Sequence, residues 1–190
     1  MDCLAVDWSG ALHGSASRIW MASARRGVLT ALDMPGSRDA VAHSLAVRRA
    51  DPTPCLVGLD FAFGFPAWFA AARGWRTIDE VWQAAADHGE QWLAECAPPF
   101  WGRAGKRRTH DADRGLRSTE RHWAASQRPK STLQIGGAGS VGTGTVRGMP
   151  LLRSLRRHGW SIWPFDPPGT HLSLIHISEP TRLRRISYAV

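Results

Sequence analysis

Cys55-Leu56-Val57-Gly58-Leu59-Asp60-Phe61-Ala62-Phe63-Gly64-Phe65-Pro66 is the stretch on which the reading of the whole chain turns. Its opening, Cys55 to Leu59, is a short continuous apolar run closed by turn signals, the pattern of a central strand in a covered parallel or mixed sheet. Asp60 falls at the end of that strand, and an aromatic, glycine-containing turn carries the chain on to Pro66. In open α/β sheets the reactive groups gather outside the carboxyl ends of central strands, which makes a carboxylate there a candidate for chemistry. The N-terminus repeats the pattern: Cys3-Leu4-Ala5-Val6 is a short apolar strand ending in Asp7 and followed by Trp8-Ser9-Gly10. If the two strands are parallel neighbours, both carboxylates point into one crevice.

The 190 residues suffice for one domain with a real core and not for two ordinary ones. No apolar run approaches the roughly 20 residues of a membrane span. The N-terminus lacks the basic and apolar regions of a signal peptide, so a cytoplasmic location is expected. Cys3, Cys55 and Cys96 are odd in number and widely spaced, which fits reduced, buried thiols better than a disulfide or zinc framework. A formal charge of +8 and 10 Trp residues point to an anionic partner and flat stacking surfaces, although surplus Trp is more often core.

Residues 172–190, LSLIHISEPTRLRRISYAV, resemble the in-frame translation of a transposase-type sequencing-library adapter. The constant adapter strand encodes Leu172 through Arg182 without a mismatch. Leu183-Arg184-Arg185 fit its variable index, and the next constant stretch encodes Ile186 to Val190. The segment is therefore expected to be a sequencing scar, with the natural chain legible to about His171 and its C-terminal part missing. The plainer alternative is a natural terminal strand with a basic tail.

Between these landmarks the chain alternates strands and helices. Arg18 to Ala24 and Val28 to Leu32 read as strands which, with the N-terminal strand, form an antiparallel meander. Ser37 is an N-cap for a helix from about Arg38 to Arg49, with an apolar face of Val41, Leu45 and Val47. Pro66 suits the first position of a short helix over Ala67 to Ala72, which Gly74 interrupts. Thr77 and Glu80 form a capping box for a second helical block that runs to Cys96. From Gly102 to Lys130 the segment is strongly basic, with a helix expected over about Leu116 to Ser126. The glycine-rich turn Gln134 to Gly144 leads into a helix over Val146 to His158, and Trp160 to Phe165 reads as a last strand.

Three meander strands, a helix and a parallel strand, with acids ending the first and fourth strands, resemble the ribonuclease H-like fold. More narrowly, AVDWSG (Ala5 to Gly10), GLDFAFGFP (Gly58 to Pro66), PFWG (Pro99 to Gly102), SVGTGTVRGMPLL (Ser140 to Leu152) and WPFD (Trp163 to Asp166) resemble the domain-of-unknown-function 429 family (DUF429), described as predicted nucleases of that fold. The resemblance implies an α/β domain with a mixed sheet, and metal-dependent phosphodiester hydrolysis. It also implies a further strand ending in an acid and a later helix with another, both replaced here by the adapter-like segment. The domain over residues 1–171 is thus expected to be incomplete at its C-terminus, and the chain as it stands inactive.

Hydrolysis of this kind needs carboxylates holding Mg²⁺ or Mn²⁺. Asp7 and Asp60 are the ligands and catalytic residues that the resemblance leads one to expect from this chain; their plainer roles are a turn residue and an N-cap. Ser9 and Ser140, each beside glycines, are expected near a substrate phosphate, whereas the plainer reading of the glycine loop is a turn with positive φ. Arg103, Lys106, Arg107 and Arg108 are candidates for steering a nucleic acid, with Trp101 and Trp123 available for stacking, and a solvated surface is the equal alternative. Arg147 either anchors a phosphate or pairs with an acid. His88, His110, His122 and His158 lack metal-ligand spacing and are expected at the surface, and Trp82, Trp92, Trp160 and Trp163 in the core. A nucleotide-dependent phosphotransferase using the same two aspartates and a non-catalytic nucleic-acid-binding module are the alternatives; no Walker-type glycine run is present.

Overall fold

The computed structural model describes residues 1–111, 113–123 and 129–175, with the side chains of 123 and 172–175 outside the description. The meander forms as expected: β1 (Asp2–Asp7), β2 (Trp20–Arg25) and β3 (Val28–Asp33) run antiparallel, with a register shift at Ser23/Ala24. Arg18 belongs to a single 3₁₀ turn, Ser15–Arg18, rather than to β2. Helix α1 (Arg38–Ala50) is capped by Ser37, whose side chain accepts the Ala40 N–H at 3.0 Å. Then β4 (Cys55–Leu59) enters parallel to β1, pairing Leu4 with Val57 and Val6 with Leu59.

Helix α2 (Ala67–Ala72) follows Pro66, which stands at its N-cap and not inside its first turn. Helix α3 (Ile78–Glu95) begins with the Thr77–Glu80 capping box. The N–H groups of Thr77 and Arg76 hold the Glu80 carboxylate below its ordinary pKa. Cys96 ends α3 in the left-handed region, at φ 45°. Helix α4 covers Ser118–Trp123, shorter than the expected 116–126; residues 124–126 lie outside the described residues. Helix α5 (Gly142–Arg157) starts at Gly142, so the last glycines of the glycine-rich stretch are helical and not part of a turn. Strand β5 shrinks to Ser161–Ile162.

Strand β6 (His171–Ile175) lies parallel between β4 and β5, completing a six-stranded sheet of order β3-β2-β1-β4-β6-β5 among the described residues. Most of β6, from Leu172 on, is the start of the adapter-like segment. Leu172-Ser173-Leu174 alternates and Ile175 does not, and parallel pairing asks mainly for free backbone groups. The outcome is a mixed α/β fold.

One face of the sheet carries the core. Leu4 and Val6 of β1 and Cys55, Val57 and Leu59 of β4 join Val41 and Leu45 of α1, Leu93 of α3 and Met149 and Leu152 of α5. The intervening residues Ala5, Leu56 and Gly58 turn the other way, and there Ala5 and Leu32 are exposed. The apolar run of β4 thus hides a half-buried alternation, because small Gly58 and Leu56 occupy its second face. Other apolar assignments also change. Val47 and Trp163 are exposed at 60% and 46%, whereas Trp82 and Trp160 are buried as expected and Trp92 is half-buried. His110 is not a surface residue: both its ring nitrogens are buried.

Candidate functional site at the carboxyl ends of β1 and β4

The two aspartates come together because the strands that carry them are parallel, adjacent and in register. The Asp60 N–H donates to the Val6 carbonyl at 3.0 Å, extending the ladder by one rung beyond Leu59. Asp7 and Asp60 therefore end neighbouring strands at one edge of the sheet, and both are exposed. The residues that follow each of them turn inward. Trp8 is buried and lies with its ring centroid 5.1 Å from that of Phe61, which meets Phe63 at 5.4 Å. This aromatic row anchors both turns from below.

Ser9 and Gly10 are fixed from two sides. A Cβ on Gly10 would lie 2.3 Å from the Gly144 nitrogen, so the turn after β1 presses backbone to backbone on the start of α5. The Arg38 guanidinium donates to the carbonyls of Ser9 (3.1 Å) and Ala11, and Arg147 donates to the carbonyl of Gly10. Three successive carbonyls are thus held by two arginines from different helices. Arg147 is the more committed: Glu90 on α3 grips it with two hydrogen bonds of 2.7 Å, and its side chain is 7% exposed. Of the two roles read for Arg147, pairing with an acid is the one the structure contains. Hydrogen bonding from Arg147 holds the Glu90 carboxyl below its ordinary pKa. Burial, then the neighbouring Arg147, lowers that of Arg38.

The glycine loop ties the basic turn to this edge. The Ile135 N–H donates to the Trp101 carbonyl at 2.9 Å and the Trp101 N–H to Leu133 at 3.2 Å, and a Cβ on Gly102 would fall 2.3 Å from the Gly136 oxygen. The same loop closes onto α5, with the Gly142 N–H on the Gln134 carbonyl at 2.9 Å and Thr143 Oγ1 on that of Ile135 at 3.1 Å. Ser140, half-buried, lies between these contacts and donates its N–H to Gly137 at 3.3 Å. In the basic turn, Arg103 donates to the Ala94 carbonyl at 3.4 Å and the Arg108 guanidinium covers Trp101 at 5.7 Å, while Lys106 and Arg107 are exposed. Trp101 is thereby a capped ring; the Trp123 side chain lies outside the described residues.

Arg38 and Glu90 were not among the residues singled out from sequence. Each reads there as a helix surface charge, and no local pattern announces that the loop after β1 will fold back onto both helices. Among the described residues no group of three or more His, Cys, Asp or Glu side chains converges as a metal-ion cage does. No family model, no curated protein and no solved structure matches the chain.

Proposed function

We propose that the chain belongs to a metal-dependent nuclease of ribonuclease H-like architecture, with Asp7 and Asp60 as its metal ligands and catalytic residues. The observation that supports this most directly is the in-register placement of the two carboxylates at the ends of adjacent parallel strands. Mg²⁺ is commonly held by one or two carboxylates together with water and substrate phosphate, so the pair fits the protein's share of one such ion. Bound there, Mg²⁺ or Mn²⁺ would activate water and neutralise charge on the leaving oxygen. The chain's own contribution is positional. The Trp8–Phe61 row anchors the turns that follow both aspartates, Arg38 and Arg147 hold the Ser9–Ala11 carbonyls, and exposed Lys106 and Arg107 draw a polyanion toward the edge.

In this reading residues 172–190 come from the adapter, and the natural continuation supplies the remaining carboxylates. The experiment has two stages. Reading the gene across the His171 codon should show a frame that departs from LSLIHISEP and continues into a strand ending in an acid. The protein expressed from that frame should cleave a single- or double-stranded oligonucleotide only with Mg²⁺ or Mn²⁺. Asp7→Asn and Asp60→Asn should each lower the rate by more than about 100-fold, beyond the cost of losing an outer-shell partner, with the circular dichroism spectrum unchanged. Salt-sensitive nucleic-acid binding that survives both substitutions, without cleavage, would replace the nuclease with a binding module. Protection by ATP against heat, without cleavage, would replace it with a phosphotransferase.

A further inference from the structure

Away from that edge, the outer face of α3 borders a groove of about 770 Å³. Its wall is aromatic, with Trp75 and Trp92 half-buried and their centroids 6.1 Å apart, and Phe100 stacked on Trp92 at 5.7 Å. Its rim is acidic: Asp79, Glu80, Asp87 and Glu95 line it, and α3 itself carries no Lys or Arg. Two of these carboxylates are already used, Asp79 by Arg156 at 3.0 Å and Glu80 by the capping box. Among the described residues Asp87 and Glu95 meet neutral amides and no cation, accepting from Gln83 at 2.6 Å and Gln91 at 2.8 Å. Arg73 and Arg153 are the groove's cations, and Arg73 lies over the Phe69 ring at 5.3 Å.

Elsewhere in the chain, Trp68, Trp82 and Trp101 each carry a guanidinium over the ring, at 4.7, 4.8 and 5.7 Å. Among the described residues Trp75 and Trp92 carry none, although both border open space. The groove thus offers indole rings that carry no guanidinium, beside two exposed carboxylates that pair with no cation among the described residues, on a molecule whose formal charge is +8. Overall charge repels a polycation from this protein, so affinity for one has to arise locally.

We infer that the α3 groove is a docking site for an arginine-bearing peptide segment of a partner protein. Asp87 and Glu95 stand eight residues apart on one helix, roughly two turns, which places them about 12 Å from each other. An extended peptide covers a similar span in four residues, at about 3.3 Å each. The segment that fits therefore carries two arginines four positions apart, each paired with one carboxylate, and at least one guanidinium plane lies on Trp92.

The probe is a capped, neutral-dye-labelled heptapeptide of glycine and serine with arginines at its second and sixth positions, read by fluorescence anisotropy against the whole chain. Saturable binding that weakens as salt rises is expected. The double variant Asp87→Asn/Glu95→Gln, whose changes are isosteric and exposed, should bind at least tenfold more weakly while unfolding at the same urea concentration. The same peptide with lysines should bind several-fold more weakly, and with citrullines not at all. Absence of binding up to about 1 mM peptide, undiminished binding to the double variant, or equal affinity for the citrulline or lysine peptide would each overturn the assignment.

Discussion

Gly148 and Gly144 lie one helical turn apart on α5 and illustrate how one residue type does opposite jobs. A Cβ on Gly148 would fall 2.4 Å from the Phe61 ring, which is buried beside Asp60, so only a hydrogen atom fits there. A Cβ on Gly144 would meet Trp8 at an ordinary 3.7 Å. In a helix alanine exceeds glycine by up to about 1 kcal/mol, whereas forcing a methyl into a packed core costs about 1–3 kcal/mol. Gly148→Ala should therefore lower the urea midpoint, and Gly144→Ala should leave it unchanged or raise it. Equal effects of the two would mean that helix propensity, and not the Phe61 contact, governs this face. None of this is visible in sequence, where Gly144 reads as the end of a turn and Gly148 as an ordinary position of the helix that follows. The same blindness hid His110 and Trp163, because whether an aromatic ring is covered depends on neighbours far along the chain.

At the scale of single elements the sequence was far more legible, and for a local reason. Ser37 before α1 and Thr77 with Glu80 before α3 satisfy backbone N–H groups only a few residues away, so their signal needs no tertiary context. Ser37→Ala should destabilise the protein by about 1 kcal/mol and Ser37→Asp should preserve it, both measured by equilibrium unfolding. The meander and β4 were legible from alternation and turn residues, and so was the pairing that brings Asp7 beside Asp60, since parallel neighbours ending in acids share an edge. The start of α5 was not, because Gly139, Gly142 and Gly144 argue against a helix until packing on Gly10 and Gln134 overrides propensity. Arg38 and Glu90 escaped for the converse reason: they join elements distant in sequence, and pairs of that kind leave no periodic trace; for Arg147 an acid was one of the two partners legible in sequence, but not which acid.

For the molecule as a whole, acidity is the simplest probe of how the late strands are held. His171, 3% exposed, opens β6, bonds the Asp51 carbonyl beyond α1 through Nε2 at 3.0 Å and stands edge-on to Trp160 at 5.2 Å. Burial, with Arg49 and Arg48 nearby, holds its pKa below the ordinary histidine value. Burial, then Arg108 and Arg114, does the same for His110. Both rings are thus favoured neutral in the fold, while in the unfolded chain they take up protons near pH 6.5. Their contribution is fully present above that pH and is lost as pH falls toward the depressed values. The melting temperature should drop between about pH 7 and 5, and less steeply in His171→Gln; a flat profile would remove the buried-neutral assignment. Carboxylates with lowered pKa, such as Glu90 and Asp166, act only in more acidic solution and do not blur this window. The placement of β6 carries one more implication. Among the described residues strand β5 joins the sheet through β6 alone, and β6 is inserted by main-chain pairing on both sides. The space between β4 and β5 is therefore a socket of the kind used in fragment complementation, filled through main-chain pairing. That is how a strand made largely of adapter-like sequence can sit between β4 and β5.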